Sequence, residues 1–167
     1  TEPGHRERPN EDFASVALGG SRDGGTLVVL DGVTPPDGGG GCVHGVPWFV
    51  NRLGGALLEL SVLHPSLTLP RCLEQAIATT AEQHTGTCDL SHPRTPQATV
   101  AAARWSEGSV EYLVLADSVL LLERASGVQV VRDDRLDRLP EHVLRARAAV
   151  RAAPRGSAER AAAAARW

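Results

Sequence analysis

The chain has no lysine: all 17 of its basic residues are arginine. That excludes a Walker A phosphate loop, a Schiff-base nucleophile and a Ser-Lys dyad. Methionine is also absent, and aromatics make up only 4% of the residues. No apolar run approaches the ~20 residues that a membrane-spanning helix needs, and Thr1 to Asn10 is polar, without a signal-peptide core. No G-x-S-x-G elbow occurs, which removes the common serine-hydrolase signature. A net charge of −3 supplies no field that would draw the chain to nucleic acid or an anionic membrane. Cysteine is scarce, and Cys42, Cys72 and Cys88 cannot all pair with one another. A reduced, cytoplasmic setting is therefore the expectation.

What is present is an apolar fraction of 42% over 167 residues, enough for one compact domain with a substantial core. Ala, Gly, Arg and Pro crowd the chain, the bias of a GC-rich genome such as an actinobacterium's. The most organised stretch is Thr26 to Gly32, strand-like residues running into Asp31 and Gly32. Burying the apolar residues fixes the backbone, so the Asp31 carboxylate is delivered at a strand end, and Gly32 lets the chain turn there. Phe13 to Leu18 reads as a preceding strand. With a turn over Gly19 to Gly25, the two predict an antiparallel hairpin with Asp12 and Asp31 at the same end.

Thr34 to Gly41 reads as a loop. Val46, Phe49, Val50, Leu53, Leu57 and Leu60 then recur at helical spacing, with Trp48 nearby, and the Trp48 and Phe49 pair reads as a core anchor. A second helix is expected from Pro70 to about Gln83, Pro70 sitting where a first turn tolerates it. After a loop over His84 to Pro96, strands at 98–105, 110–116, 119–122 and 128–131 predict a meander. Tyr112 to Ala116 and Leu27 to Leu30 are apolar without alternation, which predicts cover on both sheet faces. That gives an α+β fold arranged as a four-layer α-β-β-α sandwich. From Arg145 to Trp167, 17 of 23 residues are Ala or Arg, a helical or frayed tail.

His84, Cys88 and His92 recur every four residues, with Cys42 and His44 elsewhere. Zinc needs four ligands in a closed tetrahedron, no C-x-x-C is present, and Gly86 and Pro93 argue against one helix presenting the three. These residues are therefore expected to serve in ordinary loops and caps. Gly38 to Gly41 reads as a linker, since no strand leads directly into it and no lysine follows.

Three acidic segments stand in order: Asn10 Glu11 Asp12, Val29 Leu30 Asp31 Gly32, and Leu115 Ala116 Asp117 Ser118. Together with Gln97 Ala98 Thr99 Val100 and Val131 Arg132 Asp133 Asp134 Arg135, they resemble the metal-dependent protein phosphatases of the 2C (PPM) type. The resemblance spans roughly Arg8 to Leu139. It implies a phosphatase-like domain over 1–139, the N-terminal two-thirds of the family's sandwich, followed by the tail at 140–167. It further implies two Mn²⁺ or Mg²⁺ ions activating a water against phosphoserine or phosphothreonine esters of a phosphoprotein. Carboxylates suit such hard cations. Carried over by position, Asp31 would bridge the metals and the Gly32 carbonyl would bind one of them. Glu11 and Asp12 would hold metal-bound waters, and Asp117 would match the acid of a third, looser metal. Arg8 or Arg6 would take the phosphate through a bidentate guanidinium. Asp117 reads equally as the cap of a tight turn.

The sequence also departs from the family. D-G-x-G becomes Asp31 Gly32 Val33 Thr34, the glycine of G-D-S is Ala116, and no aspartate follows Asp137, where members place two more metal ligands. A catalytically inactive pseudo-phosphatase, acting as a binding or regulatory module, is the alternative expectation.

Overall fold

The hairpin around Asp31 forms as expected, with strand β1 at Asp12–Leu18 and β2 at Gly25–Gly32 paired antiparallel. The structure is a computed structural model, and it describes residues 1–3, 8–19, 24–34, 40–84, 86–92, 94–154 and 157–164. Most of the turn expected over Gly19 to Gly25, and most of the loop from Thr34 to Gly41, lie outside the described residues. β2 runs through Gly32 instead of turning there. Gly32 is required for another reason, close approach. A Cβ on it would lie 2.3 Å from the Glu11 carbonyl oxygen and 2.4 Å from Val46 Cγ1, so only glycine lets the next helix seat against the strand end.

β3 (Ala98–Ser106) and β4 (Ser109–Leu115) complete an antiparallel sheet of order β1-β2-β3-β4. Helix α1 (Gly45–Leu63) and helix α2 (Leu69–Glu82, with proline in its first turn) follow the expected apolar spacing. Both pack on one sheet face. The core joins Val28, Leu30, Val100 and Ala102 from the strands to Val50, Leu53 and Leu57 of α1 and Leu69, Cys72 and Ala76 of α2. Phe49 packs at its margin.

Arg104 and Glu111 tie the helices to the sheet. Arg104 of β3 donates to the carbonyls of Ser61, at 3.1 Å, and Leu67, at 2.6 Å, and pairs with Glu111 of β4. Glu111 in turn accepts the Leu69 N–H at 2.7 Å. One ion pair thus meets backbone groups that the end of α1 and the start of α2 leave open.

The opposite sheet face carries the cross-strand partners of the Asp12 register: Val16, Leu18, Val110 and Tyr112, all exposed, and Leu27 and Val29, half-buried. The apolar run from Leu27 to Leu30 therefore lies in a strand whose two faces differ, with Val28 and Leu30 fully buried against the helices.

The expected meander breaks after β4. β5 (Val119–Arg124) and β6 (Gly127–Arg132) form a separate two-stranded ribbon. The cause lies at Ala116, whose φ of +62° turns the chain out of the strand. Its N–H donates to Asp133 Oδ2 at 3.1 Å instead of to a strand neighbour. A short 3₁₀ turn at Arg135–Arg138 leads to α3 (Glu141–Ala152) and α4 (Ala158–Ala164), so the Ala/Arg-rich tail is helical over these residues. Neither helix contains a buried residue; they contact each other. No helix among the described residues is long and apolar enough to cross a membrane.

Candidate functional site

Two groups of chemistry-bearing side chains gather at the end of the sheet where β2 leaves for α1. The first is acidic. Asp12 and Asp31 are direct cross-strand partners, so their side chains leave the same sheet face. Thr99 is the partner of Asp31 on the other side, and its hydroxyl lies 2.7 Å from that of Ser118. This contact holds the Ala116–Ser118 turn, and with it Asp117, beside the strand end. Glu11 is anchored twice: its carbonyl accepts the Gly32 N–H at 3.0 Å, and its carboxylate accepts the Thr34 hydroxyl.

The electrostatics follow from the grouping. Burial pushes the Asp31 carboxyl above the usual carboxylate range, and the Asp12 and Asp117 charges, contact with the Asp12 carboxyl, and Glu11 push it further. None of the ion pairs among the described residues involves Glu11, Asp12, Asp31 or Asp117. By contrast, Asp133 is clamped by Arg135, whose Nε and Nη2 donate to its two oxygens at 2.7 and 2.6 Å. That guanidinium holds the Asp133 carboxyl far below the usual range. Arg8 is exposed and forms no ion pair among the described residues; Arg6 lies outside them.

The second group is Cys42, His44, His84 and Cys88, whose potential ligand atoms all lie within 4.8 Å of one another. The expectation from sequence is of ordinary loop and cap residues; the fold brings these four side chains together. α2 ends at Glu82, ahead of Gly86, and the turn that follows, with Gly86 at φ +76°, folds Cys88 back beside His84, its N–H donating to the His84 carbonyl at 3.2 Å. His92 is not in the group; its Nδ1 accepts the Arg94 N–H at 3.1 Å within its own loop.

Trp48 is corrected as well. It does not anchor the core but stacks on His44 at 4.2 Å and meets His84 edge-on at 4.6 Å. The four-residue period of His84, Cys88 and His92 includes one residue, His92, that is not in the group. The informative signal was two short ligand pairs, Cys42-x-His44 and His84-x-x-x-Cys88, one on each side of the helical pair. No protein-family model, curated protein or solved structure matches this chain.

Proposed function

We propose that the chain is a 2C-type phosphatase domain in which Asp31, Asp12, Glu11 and Asp117 hold Mn²⁺ or Mg²⁺ for hydrolysis of phosphoserine or phosphothreonine esters. The observation that carries this reading is the direct pairing of Asp12 with Asp31, with Asp117 drawn to the same strand end. The donor set fits the ions: hard oxygens, close enough for the Asp12, Asp117 and Glu11 charges to raise the proton affinity of Asp31, with no protein cation paired to them among the described residues. When bound, such ions supply Lewis acidity toward water and the phosphoryl group.

The chain's own residues do the rest. Asp31 provides the central carboxylate and the Gly32 carbonyl a neutral oxygen. Asp12 and Glu11 orient water from the flank, and Arg8 is the cation available to meet the substrate phosphate. On this reading the four-layer sandwich is the parent architecture. The sheet β1–β4 with α1 and α2 forms one half, and β5 and β6 begin the other.

A second reading, the non-catalytic module, is favoured by the internal departures from the family pattern, Thr34 in place of the second glycine of D-G-x-G and Ala116 in place of the glycine of G-D-S. The discriminating measurement is hydrolysis of p-nitrophenyl phosphate with calorimetric Mn²⁺ titration alongside. Mn²⁺-dependent turnover that Asp31→Asn abolishes supports the enzyme. Absence of Mn²⁺ binding at millimolar metal leaves only the module.

A further inference from the structure

We propose that Cys42, His44, His84 and Cys88 form a structural zinc site that clamps the β2–α1 loop to the α2–β3 loop. Nothing in the acidic cluster enters this argument, and the site stands or falls apart from the phosphatase reading. Two thiols and two imidazoles are the soft and borderline donors that zinc selects over Mn²⁺ or Mg²⁺.

The spacing is close to that of a coordinated set. Tetrahedral zinc with sulfur and nitrogen ligands places neighbouring donors roughly 3.3–3.8 Å apart. His44 Nδ1 already lies 3.4 Å from Cys88 Sγ and 3.7 Å from Cys42 Sγ. The widest separation in the group is within 4.8 Å, so closing on a metal takes side-chain movement of about 1 Å.

An independent observation comes from His84. It is 3% exposed, and its Nδ1 lies 2.8 Å from the Thr80 carbonyl, an acceptor only. Nδ1 must therefore carry the proton, which leaves Nε2 with a bare lone pair. Nε2 is buried and has no hydrogen-bond partner. A buried acceptor left this way is costly, and a metal ion satisfies it. The carbonyl–imidazole pairing is the outer contact that fixes ring and tautomer in metal-ligating histidines.

The sulfurs are held in place as well. The Val43 N–H donates to Cys88 Sγ at 3.4 Å and the His44 N–H to Cys42 Sγ at 3.3 Å, contacts that orient both toward the histidines. Trp48 packs on both histidine rings and limits their rotation. The two loops are also joined directly, the Asp89 N–H donating to the Gly41 carbonyl at 2.7 Å. A Cβ on Gly41 would come within 2.1 Å of the Asp89 carbonyl oxygen. Loading the site releases the two thiol protons to solvent and fills all four positions with protein ligands. No position stays open for substrate, so the role is structural.

The test is Co²⁺ substitution in the reduced 167-residue chain, with elemental analysis for zinc in the protein as purified. The expected result is one zinc per chain and, after exchange, the intense visible bands of tetrahedral cobalt with thiolate charge transfer. Cys88→Ser and His84→Gln should each weaken metal binding by more than the ~10-fold that losing even an outer partner costs. His92→Gln and Asp31→Asn should leave the bands intact. The wild-type spectrum needs no variant, so it decides the matter even if a substituted chain fails to fold. The proposal is overturned if the reduced wild-type chain gives only the weak spectrum of octahedral cobalt. It is equally overturned if His92→Gln or Asp31→Asn removes the bands as fully as Cys88→Ser, or if Cys42 and Cys88 are found as a disulfide in a chain that takes up no zinc when reduced.

Discussion

At Ala116 a non-glycine residue adopts φ +62°, in the left-handed region where a Cβ crowds the backbone. The chain leaves β4 at this point and turns toward Asp117 and Ser118. Replacing Ala116 with glycine relieves the crowding but loosens the unfolded chain. The net expected gain is about 0.5–1 kcal/mol in urea unfolding. Destabilisation instead would mean that the left-handed turn is not the conformation in solution.

Asp133 yields a pH prediction. Its carboxyl is held far below the ordinary range by the Arg135 guanidinium, with help from the Arg135 and Ala116 N–H groups. A depressed folded-state pKa contributes stability that is fully present above the unfolded value, about 4, and is lost as pH falls through the folded value. The Tm of the wild-type chain should therefore exceed that of Asp133→Asn at pH 7, and the gap should shrink steadily below about pH 4. A gap independent of pH would contradict this assignment.

At the scale of elements, α1 and α2 were legible because their apolar residues recur with the helical period, and the hairpin because two strand-like runs flank a glycine-rich turn. The break between β4 and β5 was not legible. The composition across Leu115 to Val119 suits a continuing meander, and only the Ala116 turn with its Asp133 contact redirects it. The joint between helices and sheet was likewise invisible, since Arg104 and Glu111 meet Ser61, Leu67 and Leu69 across some 40 positions of sequence. Arg104→Ala should cost about 2 kcal/mol, because it strands carbonyls at the end of α1 and leaves the Glu111 carboxylate without its cation. Arg104→Lys should recover only part of the loss, since an ammonium cannot span the same acceptors. Full recovery would show that charge alone matters there.

For the whole molecule, the helix-free side of the β1–β4 sheet is the principal liability. Leu18 is 78% exposed and Val16 54%, and both lie on the same face as Val110 and Tyr112. Apolar area of this kind, next to the open edge of β1, promotes association of copies. Light scattering should show average mass rising with concentration, and Leu18→Lys should suppress the rise. A monomer at every concentration for the wild-type chain would argue that this face is covered in solution.

The sequence by itself determined what is local and periodic: the hairpin, both core helices, the acids at one strand end, and an Ala/Arg-rich tail that favours helix. It also excluded lysine chemistry outright. Which side chains meet was decided by the tertiary structure. Pairing register put Asp12 opposite Asp31, and the Thr99–Ser118 contact brought Asp117 to them. The cysteines and histidines were unreadable as a site because each half lies in a loop without period, and the helical hairpin alone returns His84 and Cys88 to Cys42 and His44. A ligand set split across two loops is a property of chain return, and chain return is set by burying Val50, Leu57 and Leu69 against Val28 and Leu30, residues that are themselves no part of either site.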